Sequence, residues 1–247
     1  MSRPAHHLAL AALASTVGAA LLAGCGATTE AGPTPTSQTT LTSPSDAGSP
    51  SGQSSPAPRM IGALRPGFVP RTPPAPEGTI TPSPGSWDDV RPAPGYRVVL
   101  LTSDEDEATR TLAAAVRAWA KENGVGIRTI LADTPEDQQA MYARIDEAIA
   151  QRSDLVITTG NDLVEPLDVV APSWQGQQEF LTVGSQAAEP TQNVTGVTWK
   201  GGAFRGYERG ADVYDPATVT PERAARAIRA GVASVLGYRT GIFVWID

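Results

Sequence analysis

The chain has 247 residues, of which 24 are Gly and 22 Pro, with 40% hydrophobic and only 6% aromatic residues; 19 basic and 26 acidic residues leave a formal net charge of -7. One ordinary domain or two small ones fit this length. The acidic balance argues against a nucleic-acid surface, which needs clustered cations, and against electrostatic attachment to anionic lipid. Residues 26–95 hold 15 of the 22 prolines, whereas residues 96–247 hold 14 Lys/Arg and 21 Asp/Glu, the whole of the net charge. About 150 residues therefore remain for a folded core, the size of one domain.

Residues 1–24 have the three parts of a secretory signal peptide: Arg3 in a short polar start, an apolar run from Leu8 to Leu22, and small residues before Cys25. Leu22-Ala23-Gly24-Cys25 resembles a bacterial lipobox, which implies diacylglycerol on the Cys25 sulfur and cleavage just before it. Cys25 is the only cysteine, so no disulfide can form within the chain, and modification explains a lone Cys there. Two or three acyl chains at about 0.8 kcal/mol per buried CH₂ anchor a protein stably. The expected location is the extracytoplasmic face of the cell membrane, lipid-anchored.

Residues 25–95 read as a lipidated Cys followed by a disordered tether rich in Pro, Ser, Thr and Gly, without the apolar surface to offset its ordering entropy. Within it, Met60–Val69 (MIGALRPGFV) is more apolar, and Trp87 marks the approach to the fold. From Tyr96 the pattern changes. Arg97–Thr102 (RVVLLT), Gly126–Ala132 (GIRTILA), Asp154–Thr159 (DLVITT), Glu179–Val183, Val194–Trp199 and Gly241–Ile246 read as strands, several of them continuous apolar runs of the kind buried on both faces. Between them lie helices with apolar positions at helical spacing: Leu112, Ala115, Val116 and Trp119; Met141, Ile145, Ala148 and Ile149; Asp162–Val170; and, after Thr220-Pro221-Glu222, Ala224, Ile228, Val232, Val235 and Leu236. Ser103-Asp104-Glu105-Asp106 reads as the cap and acidic first turn of the first helix. Strand and helix in alternation predict an α/β fold for residues 96–247: a single Rossmann-like three-layer sandwich with a mainly parallel sheet of about six strands.

Ser153–Gly160 (SDLVITTG), Phe180–Val183, Asn193-Val194 and Gly202–Gly210 (GAFRGYERG) together resemble one lobe of the basic membrane protein (PnrA-like) family of ABC-transporter substrate-binding lipoproteins. The resemblance covers about residues 96–210. It implies a periplasmic-binding-protein-like lobe, non-catalytic recognition of a small molecule such as a nucleoside, and an ABC-transporter permease as partner. The family's Gly-rich loop after the first strand is replaced here by Thr102–Glu107, and its Asp after the fourth strand by Gly184-Ser185. The family's cleft lies between two lobes, and a homodimer pairing two copies of this lobe would supply the second wall.

In open α/β sheets, ligands sit beyond the carboxyl ends of the strands. The candidate ligand-binding residues are accordingly Ser103, Asp104, Thr159, Gly160, Asn161 and Ser185. The acidic run Asp104–Glu107 has the oxygen ligands for a hard cation, but it equally suits the positive end of a helix dipole, and no metal or cofactor is assigned. The only histidines, His6 and His7, lie in the signal peptide, and no nucleophile elbow, P-loop or dinucleotide fingerprint occurs. The reading is therefore not an enzyme. The alternative from another class is a tethered structural or protein-interaction module that has lost ligand binding; it predicts a filled rim at the strand ends and an exposed apolar patch elsewhere.

Overall fold

A computed structural model describes residues 59–72, 74–103, 106–134, 137–187, 191–204 and 214–247. Residues 1–58, which include the expected signal peptide and Cys25, and Asp104 lie outside the described residues. Among those described, no helix is long and apolar enough to cross a membrane.

The apolar runs form the strands that their patterning predicts. β4 (Arg97–Thr102), β6 (Leu155–Thr159), β7 (Phe180–Val183) and β9 (Val194–Thr198) are buried along almost their whole length. Strands covered on both faces must be apolar on both, which is why these segments read as runs and not as alternations. They pair in parallel with β5 (Gly126–Leu131) and β11 (Phe243–Trp245) in the order β5-β4-β6-β7-β9-β11. β5 is an edge strand with four of its first five positions exposed. Two two-residue strands, β8 (Ser185–Gln186) and β10 (Ala203–Phe204), add a short extension beside β9.

Among the described residues, four α-helices cover the sheet. α1 (Glu107–Glu122) and α4 (Pro221–Leu236) bury Leu112, Val116, Trp119, Ile228 and Val232 against one face, together with Leu100, Ile157 and Val197 of the strands. α2 (Gln138–Ala150) and α3 (Val164–Val170) bury Met141, Ile145, Leu167 and their neighbours against the other, with Val99, Leu101 and Val156. The Rossmann-like three-layer α/β sandwich is thus the observed architecture. α4 begins as expected: the Thr220 hydroxyl accepts from the Arg223 N–H at 3.2 Å and Pro221 occupies the first turn. α1 begins later than expected. Its cap is Asp106, whose carboxylate accepts from the Thr109 N–H at 2.6 Å, so Ser103 remains at the strand end and does not cap the helix.

The tether boundary at residue 95 is corrected by the structure. β2 (Thr79–Ile80) pairs in parallel with β11 and extends the main sheet. β1 (Met60–Ile61) pairs antiparallel with β3 (Arg91–Pro92). Phe68, Ile80, Trp87 and Val90 are buried in the α1/α4 core, and Leu64 and Val69 of the apolar Met60–Val69 stretch pack against it. Phe68 meets Trp87 edge to face, with ring centroids 6.3 Å apart. Residues 59–95 belong to the fold because isolated large side chains anchor an otherwise irregular strap. Its prolines fall mostly between the two-residue strands, where no ladder hydrogen bond is lost.

Candidate functional site

Leaving β4 the chain turns to β5 on one side; leaving β6 it turns to β7 on the other. Those departures open a crevice at the carboxyl ends of β4 and β6, the usual ligand position in doubly wound sheets. The structure has a cleft of about 220 Å³ there, lined by Asp106, Thr109 and Leu112 of the α1 start, Gly160–Asp162 after β6, Val183–Ser185 after β7, and Tyr214 with Val219. Of the predicted residues, Gly160, Asn161 and Ser185 line it. Ser103 stands directly behind Gly160: a Cβ added at Gly160 would meet the Ser103 Oγ at 2.7 Å. Gly160 also has φ 108, a conformation that L side chains rarely adopt, so the glycine both makes the turn and admits the hydroxyl. Thr159 lies at the β6 terminus, fully buried and opposite Thr102 and Val183 in register.

The hydroxyls of Ser103, Thr159 and Ser185 are all buried, and none has a hydrogen-bond partner among the described residues. An orphaned buried hydroxyl costs about 1–3 kcal/mol, and these three lie at the ends of neighbouring strands beside the cleft. Ser185 is held at the rim by Gly184 (φ 79), where a Cβ would run into Leu112 Cδ1 at 2.8 Å. The loop Gly184-Ser185 therefore depends on glycine for its close approach to α1.

The described lining is acidic. Asp106 and Asp162 contribute carboxylates, and no basic side chain is among them. Burial raises the Tyr214 phenol above its ordinary range, and the negative charges of Asp106, Asp162 and Asp215 add to the shift. Such a lining suits a neutral hydroxyl-rich or cationic ligand and repels an anion. Thr109 and Tyr214 were not singled out from sequence, and Asp106 only as a member of the acidic run Asp104–Glu107. Asp106 is one of four consecutive acids with nothing to mark it as the cap, and Tyr214 arrives on a loop without periodicity. Among the described residues, no three His, Cys, Asp or Glu side chains converge as metal ligands. A larger cleft, about 540 Å³, lies at the opposite end of the sheet.

No family model and no curated protein matches the chain. Solved structures do resemble it. An ABC transporter system solute-binding protein from Aeropyrum pernix K1 is 22% identical over 43% of this chain and 29% of its own, with a TM-score of 0.36. An ABC transporter solute-binding protein from Conexibacter woesei DSM 14684 is 19% identical over 62% of this chain and 54% of its own, with a TM-score of 0.35. A fragment named as a lipoprotein from Peptoclostridium difficile 630 is 16% identical over 57% of this chain and 98% of its own, with a TM-score of 0.41. The chain thus spans less than a third of one of these solute-binding proteins and about half of the other. None of the three is named for the basic membrane protein family.

Proposed function

We propose that this chain is a lipoprotein anchored through Cys25 on the extracytoplasmic face of the cell membrane, whose single α/β lobe recognises a small uncharged or cationic molecule without chemistry, as a solute-binding protein of an ABC transporter does. The observation that carries the reading is the set of orphaned hydroxyls of Ser103, Thr159 and Ser185 beside a cleft at the switch point of the sheet. A ligand's hydroxyl or amine group would supply the partner that Ser185 in the cleft wall lacks, and Ser103, behind Gly160, would be reached by a small shift of that turn. A nucleoside, the ligand class implied by the family resemblance, has ribose hydroxyls suited to that task. At about 220 Å³ the cleft falls below the 300–1,000 Å³ of sites that enclose a drug-sized ligand, so one lobe covers only part of it. A transporter permease or a second copy of the chain would provide the other wall.

Titration calorimetry of the full chain against a panel of purine and pyrimidine nucleosides tests this reading. A saturable heat that falls at least tenfold in affinity on Ser185→Ala supports it; affinity indifferent to Ser185→Ala and Ser103→Ala removes the cleft from the account. For the anchor, Cys25→Ser should shift the protein from the membrane fraction to the soluble one, and retention of the variant in membranes would contradict a lipid attachment.

One observation favours the second reading, an interaction module. Between α1 and α4 runs a groove of about 360 Å³ lined by Ala114, Ala115, Ala118, Trp119 and Ala225, closed at one end by the Arg229–Glu122 ion pair at 2.8 Å. An apolar groove of this kind accepts a protein segment. Ala118→Arg would block it and leave the strand-end cleft untouched, so loss of a partner with nucleoside binding intact would mark the groove as the working surface.

A further inference from the structure

A second cleft, about 540 Å³ and larger than the one at the strand ends, lies at the amino ends of β9 and β11, at the opposite end of the sheet from Ser103 and Ser185. Its volume is within the range of small-molecule sites. One wall is the proline-bearing strap (Pro70, Arg71, Pro74); the other is the segment after α4 (Tyr238, Arg239). Neither Arg71 nor Arg239 has a carboxylate partner among the described residues, and no acidic side chain is among the described lining. In a chain of net charge -7, two arginines lining one cleft with no carboxylate partner among the described residues are a local reversal of sign.

The placement of Tyr238 is the second observation. α4 ends in a Schellman motif: the Tyr238 N–H donates to the Val235 carbonyl at 3.0 Å and the Arg239 N–H to the Ser234 carbonyl at 2.8 Å. The buried Ser234 hydroxyl donates to the Arg239 carbonyl at 2.6 Å, so the backbone of Arg239 is held on both sides. The left-handed position of this motif normally belongs to glycine. Here it is Tyr238, at φ 56, while the glycine sits one residue earlier, where a Cβ would strike Leu64 Cδ1 at 2.5 Å. The residue is 75% exposed, so burial does not offset the backbone strain. Tyr238 is thus an exposed aromatic in a left-handed position at the rim of this cleft, next to an arginine whose backbone is fixed, and its ring is available to a ligand there.

We propose that this second cleft binds a small aromatic oxyanion, a carboxylate or phosphate carried on a flat ring, with Arg71 and Arg239 gripping the oxyanion and Tyr238 stacking on the ring. A planar guanidinium matches two oxyanion oxygens at once. The site is independent of the strand-end cleft, whose acidic lining selects against such a ligand.

Titration of the full chain with phenyl phosphate and with benzoate tests the assignment, with inorganic phosphate and phenol as the arms lacking the ring and the charge. At least one of the two aromatic anions should bind, and Arg239→Ala and Arg71→Ala should each weaken it about tenfold or more. Tyr238→Gly should raise the melting temperature by about 2–4 °C, since it relieves the left-handed residue, and should still weaken binding severalfold. Ser185→Ala should leave binding here unchanged. The proposal fails if neither aromatic anion binds, if phenol binds as well as they do, if inorganic phosphate does, or if Tyr238→Gly gains stability and binds undiminished.

Discussion

On the proposed reading, removing the Ser103 and Ser185 hydroxyls has opposite effects on stability and on binding. Each hydroxyl is buried without a partner among the described residues, so Ser103→Ala and Ser185→Ala should leave stability unchanged or raise it by about 1 kcal/mol, read as a denaturation midpoint at constant m-value. A loss of stability would mean that the hydroxyls are bonded within the fold. Glu179 is a comparable case on the other side of the sheet. Burial raises its carboxyl above the ordinary range, with Arg59 opposing, and its Oε2 has no hydrogen-bond partner among the described residues. The native state then holds a proton that the unfolded chain has already released, so stability falls as pH rises from the unfolded pKa through the raised folded one. Glu179→Gln should stabilise the protein at about pH 7, and the gain should disappear toward about pH 4; urea titrations at the two pH values check it. At this scale the sequence was partly informative. Ser103, Gly160, Asn161 and Ser185 could be placed at the strand ends because those ends are legible from apolar runs. Asp106 was missed as the cap because a run of four acids gives a cap no distinguishing mark, and Glu179 was missed because burial of one charge at a strand start leaves no pattern.

The four helices and the six long strands were legible because periodicity reports burial directly. The strap of residues 59–95 was not. Its strands are two residues long, too short for any period, and its prolines gave the composition of a disordered segment. The signal that could have found it was the spacing of large apolar residues, Phe68, Ile80 and Trp87, in a stretch otherwise poor in them. Phe68→Ala should cost about 3–5 kcal/mol, as a buried aromatic does and a tether residue would not. Limited proteolysis of the native protein should correspondingly spare residues 59–95, and rapid cutting there would contradict their place in the core. β11 lies between β9 and β2, so truncation before Gly241 should abolish cooperative unfolding. A truncated chain that still melted as one unit would show that the last strand is dispensable.

On the scale of the whole lobe, the sheet separates two surfaces of opposite character. At the carboxyl ends of the strands lies the smaller, acidic cleft with its orphaned hydroxyls; at the amino ends lies the larger cleft with Arg71 and Arg239. Ligands of opposite charge preference are therefore kept apart by the thickness of one domain. A single lobe leaves the strand-end ligand partly open to water, so affinity in the isolated chain should be modest and should tighten where a second wall closes over it. The central claim is that this cleft holds a small molecule through Ser103 and Ser185. Native mass spectrometry of the gently purified full chain, beside the Ser103→Ala/Ser185→Ala double variant, tests it most directly. The account predicts a bound small molecule, or a saturable mass shift with nucleoside, that the double variant loses while keeping its folded charge-state distribution. A chain that carries nothing and takes up no nucleoside, or a double variant that binds as the parent does, would contradict it.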